Sequence, residues 1–200
     1  IVYEKCSHLL NESKIFVSEQ KNDVLIKIKE SISKNSSLKK IFGKDYDYKK
    51  NTTGFVYKDK KGEILLPHPN LKGNFQISNI STAINVIRNL HQFSVKDSHI
   101  KKAIVKIRSE GRLQFIMDGK LKKYVSKNNQ IIIDGAHNFL AASAIIKYLE
   151  TFNKERKIVM ILGMMANKDH KEFIEVFKSK VNSIITLDIP NQINFIKKEK

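Results

Sequence analysis

Apolar and polar positions follow two different rhythms along the chain, and the change comes near residue 107. Before it, helical spacing and short β-branched runs enclose a stretch of aromatic and turn residues. This part is predicted to hold a strand at 14–18, a hairpin within 40–76 turned at Lys60-Lys61-Gly62, and three helices, at about 22–34, at about 78–91, and from Ser94 or Asp97 (the candidate caps) to about Lys106.

From Gln130 onward, apolar β-branched runs alternate with amphipathic helical runs. The predicted order is strand, helix, strand, helix, strand, at 131–134, 137–152, 157–164, 168–180 and 181–189. Such alternation is typical of βαβ units, whose strands form a parallel sheet covered on both faces. We therefore predict an α/β chain of two domains, 1–108 and 109–200.

Composition narrows the class of protein. With 200 residues, of which 41% are hydrophobic, the chain is long enough to bury a core. No apolar run approaches the ~20 residues of a membrane-spanning helix, and the first residues, IVYEKCSHLL, have no signal-peptide pattern. The single Cys6 excludes an internal disulfide and predicts a reducing compartment, the cytoplasm. Because the first residue is not Met, we expect a processed chain or a piece of a longer one.

The formal net charge of +17 raises the question of nucleic acid. Only four of the 37 basic residues are arginine, the side chain that nucleic-acid sites prefer, and the lysines are scattered along the chain. Nucleic acid is therefore not the expected partner, although a basic α/β module that binds RNA stays open as an alternative.

The strongest candidate for chemistry is the junction at 131–138, IIIDGAHN, where a predicted strand passes into a helix. Ligands of open α/β sheets lie beyond the carboxyl ends of the strands. Asp134 would accept hydrogen bonds from a ribose hydroxyl or an amine, Gly135 permits a sharp turn, and His137 would contact a base or phosphate. The alternative is a plain turn, in which Asp134 and Asn138 only cap.

Weaker candidates lie elsewhere in the chain. Lys168 and Asp169 follow the next strand, as an anion contact and a cap or as a solvated loop. Arg112 in GRLQ is a candidate phosphate clamp or an ordinary surface residue. Asn79, in the first turn of a predicted helix, either caps it or grips a ligand ring. The histidines show no metal-ligand spacing, and no G-x-x-x-x-G-K-[ST] motif is present.

The order of these motifs is more specific than any one of them. GNFQISNISTA, GRLQ, DGAHN and LGMMANKDH follow one another as in the folylpolyglutamate synthase and dihydrofolate synthase family, which the chain resembles and which lies in the Mur ligase superfamily. The opening IVYEKCSHLL is similar to the family segment I-x-x-E-K-A-G-I-x-K, so the resemblance covers essentially the whole chain. It implies the end of a central ATPase domain followed by a Rossmann-like C-terminal domain with a mostly parallel sheet.

The resemblance also implies an activity. Such a ligase adds L-glutamate to folate or dihydropteroate, converting ATP to ADP and phosphate through an acyl phosphate, with Mg²⁺ and also K⁺ as candidate cofactors. It implies a cytoplasmic monomer with an ATP site between two domains. The site residues that it implies are Lys5, as a carbamylated lysine that binds magnesium; Asn79, Arg112, Asp134 and His137, as ATP contacts; and Lys168 and Asp169, as substrate or phosphate contacts.

Several features depart from the family pattern. Cys6-Ser7 replaces Ala-Gly, Phe75 stands where many members have His, and Phe139 replaces the usual Pro. The family's phosphate loop, folate-binding segment and remaining magnesium ligands are expected before residue 1, and its last strands after Lys200, so we expect this chain alone to be inactive. The alternatives are another Mur-type amino-acid ligase, which usually has G-x-H-N where this chain has GNFQ, or a decayed product without activity.

Overall fold

The computed structural model describes residues 2–34, 38–153 and 155–194. The chain divides into two compact units. The first consists of Ile1–Asn70 and Phe75–Arg108, and the second of Leu71–Asn74 and Ser109–Lys200. Each unit buries apolar side chains of its own.

The first unit combines helices with two small sheets. Its elements are α1 (Val2–Cys6), β1 (Ile15–Val17), α2 (Asn22–Ser31), β2 (Lys39–Ile41), β3 (Tyr46–Asn51), β4 (Gly54–Asp59), β5 (Gly62–Pro67), α3 (Phe75–Arg88) and α4 (Asp97–Lys106). β1 and β2 are parallel, while β3, β4 and β5 form an antiparallel meander. The predicted hairpin is confirmed, since Asp59 pairs with Gly62 across the Lys60-Lys61 turn. Strand β3, which adds a third strand to it, was not predicted.

Two apolar clusters hold this unit together. In the meander, strand alternation turns Phe55 and Tyr57 inward, and both are fully buried. The apolar stripe of α3, with Ile80 and Ile84, packs into the same cluster, as its helical spacing predicts. A second cluster is centred on β1 and β2, and the half-buried Cys6 packs against it.

Two helix starts differ from the predictions. α3 begins at Phe75 rather than near residue 78, because Gln76 and Ile77 are themselves buried and extend the packed face. Asn79 therefore lies in the second turn and does not cap. α4 begins at Asp97, where the cap position falls on Lys96 without a side-chain cap, so neither Ser94 nor Asp97 caps this helix.

The second unit contains the predicted alternation of strands and helices. Its elements are β6 (Gln114–Ile116), a 3-10 turn (Leu121–Tyr124), β7 (Ile131–Ile133), α5 (Phe139–Leu149), β8 (Val159–Leu162), α6 (His170–Phe177) and β9 (Ser183–Thr186). α5 and α6 pack on each other through a core that includes Ala142, Phe173 and Phe177. β6 lies within SEGRLQF, which the apolar pattern presented only as a break.

The sheets of this unit are small and mixed, which corrects the prediction of a mostly parallel sheet covered on both faces. β8 and β9 are parallel, as a βαβ unit requires. β7 instead pairs antiparallel with β6, and among the described residues no ladder joins β7 to β8. The β8–β9 pair also leaves Val159, Ile161 and Ile185 at least half exposed. Alternation along the chain identifies strands but does not specify which strands become neighbours.

None of the helices in the described ranges combines the length and the apolar character that crossing a bilayer requires.

Candidate functional site

The most organised polar structure of the second unit joins two turns that are distant in the sequence. Asp134 follows β7, and its Oδ2 accepts a hydrogen bond from the backbone N–H of Leu113 at 2.7 Å. Its Oδ1 accepts from the N–H of Ala136 at 2.8 Å. The N–H of Gly135 donates to the carbonyl of Gly111 at 2.8 Å. The turn at Gly111–Gln114 and the turn after β7 therefore form one hydrogen-bonded structure.

Arg112 lies at the exposed centre of the first turn. The residues on either side, Gly111 and Leu113, have positive φ angles of 63° and 44°. This conformation is uncommon for leucine, but the Leu113 side chain is buried and its N–H is bound to Asp134. Oε1 of Gln114 accepts from the N–H of Gly111 at 2.9 Å and closes the turn. The guanidinium of Arg112 has no hydrogen bond or ion pair with any described residue.

The second turn places His137 and Asn138 at the start of α5. Oδ1 of Asn138 accepts from the N–H of Ala141 at 2.9 Å, so the predicted helix cap is confirmed. Nδ1 of the exposed His137 lies 2.9 Å from the carbonyl of Gly135. Because a carbonyl only accepts, Nδ1 carries the proton, which leaves Nε2 available. The amides of Phe139 and Leu140, in the first turn of the helix, have no intrahelical partner.

Of the two candidate residues in the turn after β8, Asp169 caps a helix. Oδ1 of Asp169 accepts from the N–H of Glu172 at 3.0 Å and caps α6. The half-buried Lys168 uses its backbone carbonyl to accept from the N–H of His170 at 3.0 Å. Its amine is bonded to no described side chain, so contact with a substrate or phosphate stays a prediction for both residues.

The remaining two candidates lie in the first unit, on different helices. Asn79 is exposed on α3, where its Nδ2 donates to Oε1 of the buried Gln76 at 3.1 Å. This bond leaves its Oδ1 available to a ligand. Lys5 is exposed on α1. Of the described residues, none joins these two side chains by a hydrogen bond.

A magnesium site is not assembled within the described ranges, where no group of three or more His, Cys, Asp or Glu could hold a metal ion. Lys5 as an unmodified ammonium does not fit a cation, so its role as a magnesium ligand depends on the carbamate. That role stays a prediction. The replacement of Ala by Cys6 next to it is accommodated, since Cys6 packs as a small apolar side chain against the buried cluster centred on β1 and β2.

A buried polar network in the first unit has no counterpart among the predicted residues. Nδ2 of Asn85, on α3, donates to the hydroxyl of Tyr57 at 2.8 Å, which donates to Oδ2 of Asp59 at 3.0 Å. Nε of Arg88 lies 3.4 Å from the same carboxylate oxygen. Burial raises the pKa of Tyr57 above its ordinary value. The network borders a cleft of about 100 Å³, lined by Lys40, Asp45, Asp59, Lys60, Lys61, Asn85 and Asn89.

Sequence reasoning missed this network and the roles of Leu113 and Gln114. A signal for the network does exist, because Asn85 follows Ile84 on the buried side of α3. An amide there requires a buried partner. No comparable signal marks Gln114, whose partner is a backbone amide three residues away.

Residues 111–197 match the family described as Mur ligase, glutamate ligase domain. The chain is 24% identical over 118 residues to dihydrofolate synthetase of Saccharomyces cerevisiae, which is 58% of this chain and 27% of that protein. The folylpolyglutamate synthase of Mycobacterium tuberculosis, solved with ADP and AMPPCP, superposes with a TM-score of 0.75 at 17% identity, covering 98% of this chain and 44% of that one. E. coli FolC, solved with DHPP and ADP, gives a TM-score of 0.71 at 22% identity, covering 92% of this chain and 41% of that one.

These comparisons cover part of the relatives only. The chain spans about a quarter of the length of the curated relatives it matches. It spans somewhat less than half of the solved structures.

Proposed function

We propose that the chain takes part in the ATP-dependent addition of L-glutamate to folate or dihydropteroate, because residues 111–197 match the Mur ligase glutamate ligase domain and the chain is similar to part of the folylpolyglutamate and dihydrofolate synthases. The observation that carries the proposal is the joined pair of turns around Asp134. It lies at the carboxyl end of a strand, where α/β folds bind ligands, and it presents an arginine that has no partner among the described residues.

The polar groups around this pair of turns suit a nucleotide. Arg112 supplies a planar cation that pairs with phosphate oxygens in a bidentate manner. Nε2 of His137 and the free amides at the start of α5 are further groups that would contact phosphate or ribose. Each oxygen of Asp134 accepts one backbone hydrogen bond and keeps a lone pair for a ribose hydroxyl. Asn79, on α3 of the first unit, keeps an amide oxygen available, and its contact with ATP stays a prediction.

The proposed reaction needs ATP because a carboxylate is a poor electrophile. Phosphorylation of the substrate carboxylate gives an acyl phosphate, the amine of L-glutamate attacks its carbonyl carbon, and inorganic phosphate leaves. In this scheme the guanidinium of Arg112 offsets negative charge on the phosphates, and Lys168 would contact a substrate carboxylate or phosphate.

Magnesium and potassium belong to the proposal only as cofactors of the complete site. The described residues do not form a ligand set, so we assign no step to a metal. A carbamate on Lys5 would supply oxygen ligands, and mass spectrometry of the intact chain with and without bicarbonate tests it directly. A mass gain of about 44 Da that is absent from Lys5→Arg would support it.

Nucleotide binding is the direct test of the proposal. Isothermal titration of the chain with MgADP and with Mg-AMPPCP is expected to show binding that Arg112→Gln weakens at least tenfold, the loss of a bidentate ion pair. Arg156→Gln is the matched control, because Arg156 lies in the same unit and its guanidinium donates to Gln130. Equal affinity in both variants, or no binding by the wild type, would contradict the assignment of Arg112.

The same titration separates the alternatives. A steep loss of affinity for random RNA with increasing salt, without nucleotide binding, would favour an RNA-binding module. Binding of nucleotide together with a cell-wall precursor, and not with folate or dihydropteroate, would favour another Mur-type ligase. Because the sequence contains no phosphate-cradling glycine loop, we expect the chain by itself to form no ADP from folate, glutamate and ATP.

A further inference from the structure

We propose that Gln114 is a positioning residue, which fixes the backbone of the Gly111–Leu113 turn and through it presents the guanidinium of Arg112. The inference deepens the proposed function, and it rests on that function where it concerns nucleotide affinity.

The side chain of Gln114 is anchored at one end and directed at the turn with the other. Its backbone begins β6, where it pairs with Ile133 of β7, the residue before Asp134. Its Oε1 reaches back to the N–H of Gly111 at 2.9 Å, in a partly buried hydrogen bond. The turn is therefore closed by a group whose own position is set by the β6–β7 ladder.

The turn needs such a constraint, because its residues do not favour its conformation by themselves. Gly111 has φ of 63° and is the residue with the widest choice of backbone angles. Leu113 is held at φ of 44°, which L-residues with branched side chains seldom adopt. Asp134 fixes the Leu113 end through its N–H, and Gln114 fixes the Gly111 end. Arg112 lies between these two fixed points.

Arg112 depends on these two fixed points because no described residue binds its side chain. Its guanidinium is exposed and forms no ion pair within the described part of the chain. A ligand that pairs with it would have to order both the side chain and the turn, unless the turn is already ordered. Gln114 orders the turn before the ligand binds, so the ligand has to order only the Arg112 side chain. Loss of Gln114 should therefore weaken binding without changing which groups contact the ligand.

The test compares Gln114→Met, which removes the acceptor oxygen at similar length, with Gln114→Glu, which keeps an acceptor. We expect Gln114→Met to speed amide exchange at Gly111 at least tenfold, measured by NMR, and to weaken MgADP binding about tenfold, or 1.4 kcal/mol. Gln114→Glu should stay within about threefold of the wild type in both. Gln130→Met is the matched control, because it removes the acceptor for Arg156 and leaves the turn intact.

Each outcome bears on the inference. Unchanged exchange at Gly111 in Gln114→Met would overturn it, and so would faster exchange with unaltered MgADP affinity. Faster exchange in Gln114→Met and not in Gln114→Glu supports it even if the wild type binds no MgADP, a result that would refute the proposed nucleotide site instead. If Gln114→Met does not fold, amide exchange at Gly111 is measured in the wild type instead. Exchange as fast as in an unstructured peptide would overturn the inference, and slower exchange would support it.

Discussion

Replacing Tyr57 by Phe tests whether the buried polar network of the first unit stabilises it. The hydroxyl of Tyr57 accepts from Asn85 and donates to Asp59, and both Tyr57 and Asn85 are fully buried. Without it, Nδ2 of Asn85 is left with no acceptor and no access to water, which costs about 2 kcal/mol. Asp59 loses one hydrogen bond, worth about 1 kcal/mol, and keeps its contact with Arg88. We therefore expect Tyr57→Phe to lower the free energy of unfolding by about 3 kcal/mol.

Urea unfolding followed by far-UV circular dichroism measures this change. The sequence contains no tryptophan, and tyrosine fluorescence would itself be altered by the mutation. With a slope near 2 kcal/mol per molar urea, a loss of about 3 kcal/mol moves the midpoint by about 1.5 M. Because the chain has two units, hydrogen exchange of the β4 and β5 amides should confirm that the loss falls in the first one.

Two further variants decide whether the reasoning holds. Tyr48→Phe is the control, since the Tyr48 hydroxyl donates to Glu19 at an exposed site where water can replace it, and we expect a loss below about 1 kcal/mol. The double variant Tyr57→Phe/Asn85→Leu removes both partners and should recover about 1.5 kcal/mol of the single loss. Equal losses for Tyr57→Phe and Tyr48→Phe, or a double variant no more stable than Tyr57→Phe, would refute the argument.

Three other predictions concern the fold. A Cβ on Gly54 would lie 2.0 Å from the carbonyl oxygen of Leu66, so Gly54→Ala should disrupt the meander. A Cβ on Gly62 would meet open space, so Gly62→Ala should lower stability by only about 1 kcal/mol, as measured by thermal unfolding. Asn138→Ala removes the cap of α5 and should lower stability by about 1 kcal/mol in urea, while Asn138→Asp should retain most of it. Burial raises the pKa of Tyr46 and Tyr57 above 10.0, so the folded chain keeps protons that the unfolded chain releases above about pH 10. Stability should therefore be constant just below pH 10 and fall as the pH rises beyond it, with a smaller slope in Tyr57→Phe; an unchanged slope would contradict the assignment.

The elements that sequence patterns predicted are those decided by local periodicity. The stripe of α3 and the run of strands and helices after Gln130 were predictable because burial repeats at fixed spacing. Strand β6 was not, because three residues beside a glycine turn carry too short a pattern. The pairing of β7 with β6 depends on contacts that periodicity does not encode.

The candidate site divides in the same way. The acid, histidine and cap of DGAHN were recognisable because a strand end followed by Asp, Gly and Asn has few local solutions. The hydrogen bond from the N–H of Leu113 to Asp134 could not be predicted, since the two residues lie 21 positions apart. Asp169 was predicted with a cap as one alternative, and the structure shows the cap. The magnesium site was predicted from resemblance alone and stays a prediction.

The hydrogen bonds that join Gly111 to Gly135 and Leu113 to Asp134 make the candidate site inseparable from the β6–β7 ladder. Because each turn donates a backbone hydrogen bond to the other, we expect the ladder to close and the site to assemble together. A ligand that binds the site would therefore stabilise the ladder by RT ln(1 + [L]/Kd). At a ligand concentration one hundred times Kd, this stabilisation is about 2.7 kcal/mol. Conversely, any substitution that destabilises the pairing of β6 with β7 would weaken ligand affinity in a binding assay, even if the substituted residue does not contact the ligand.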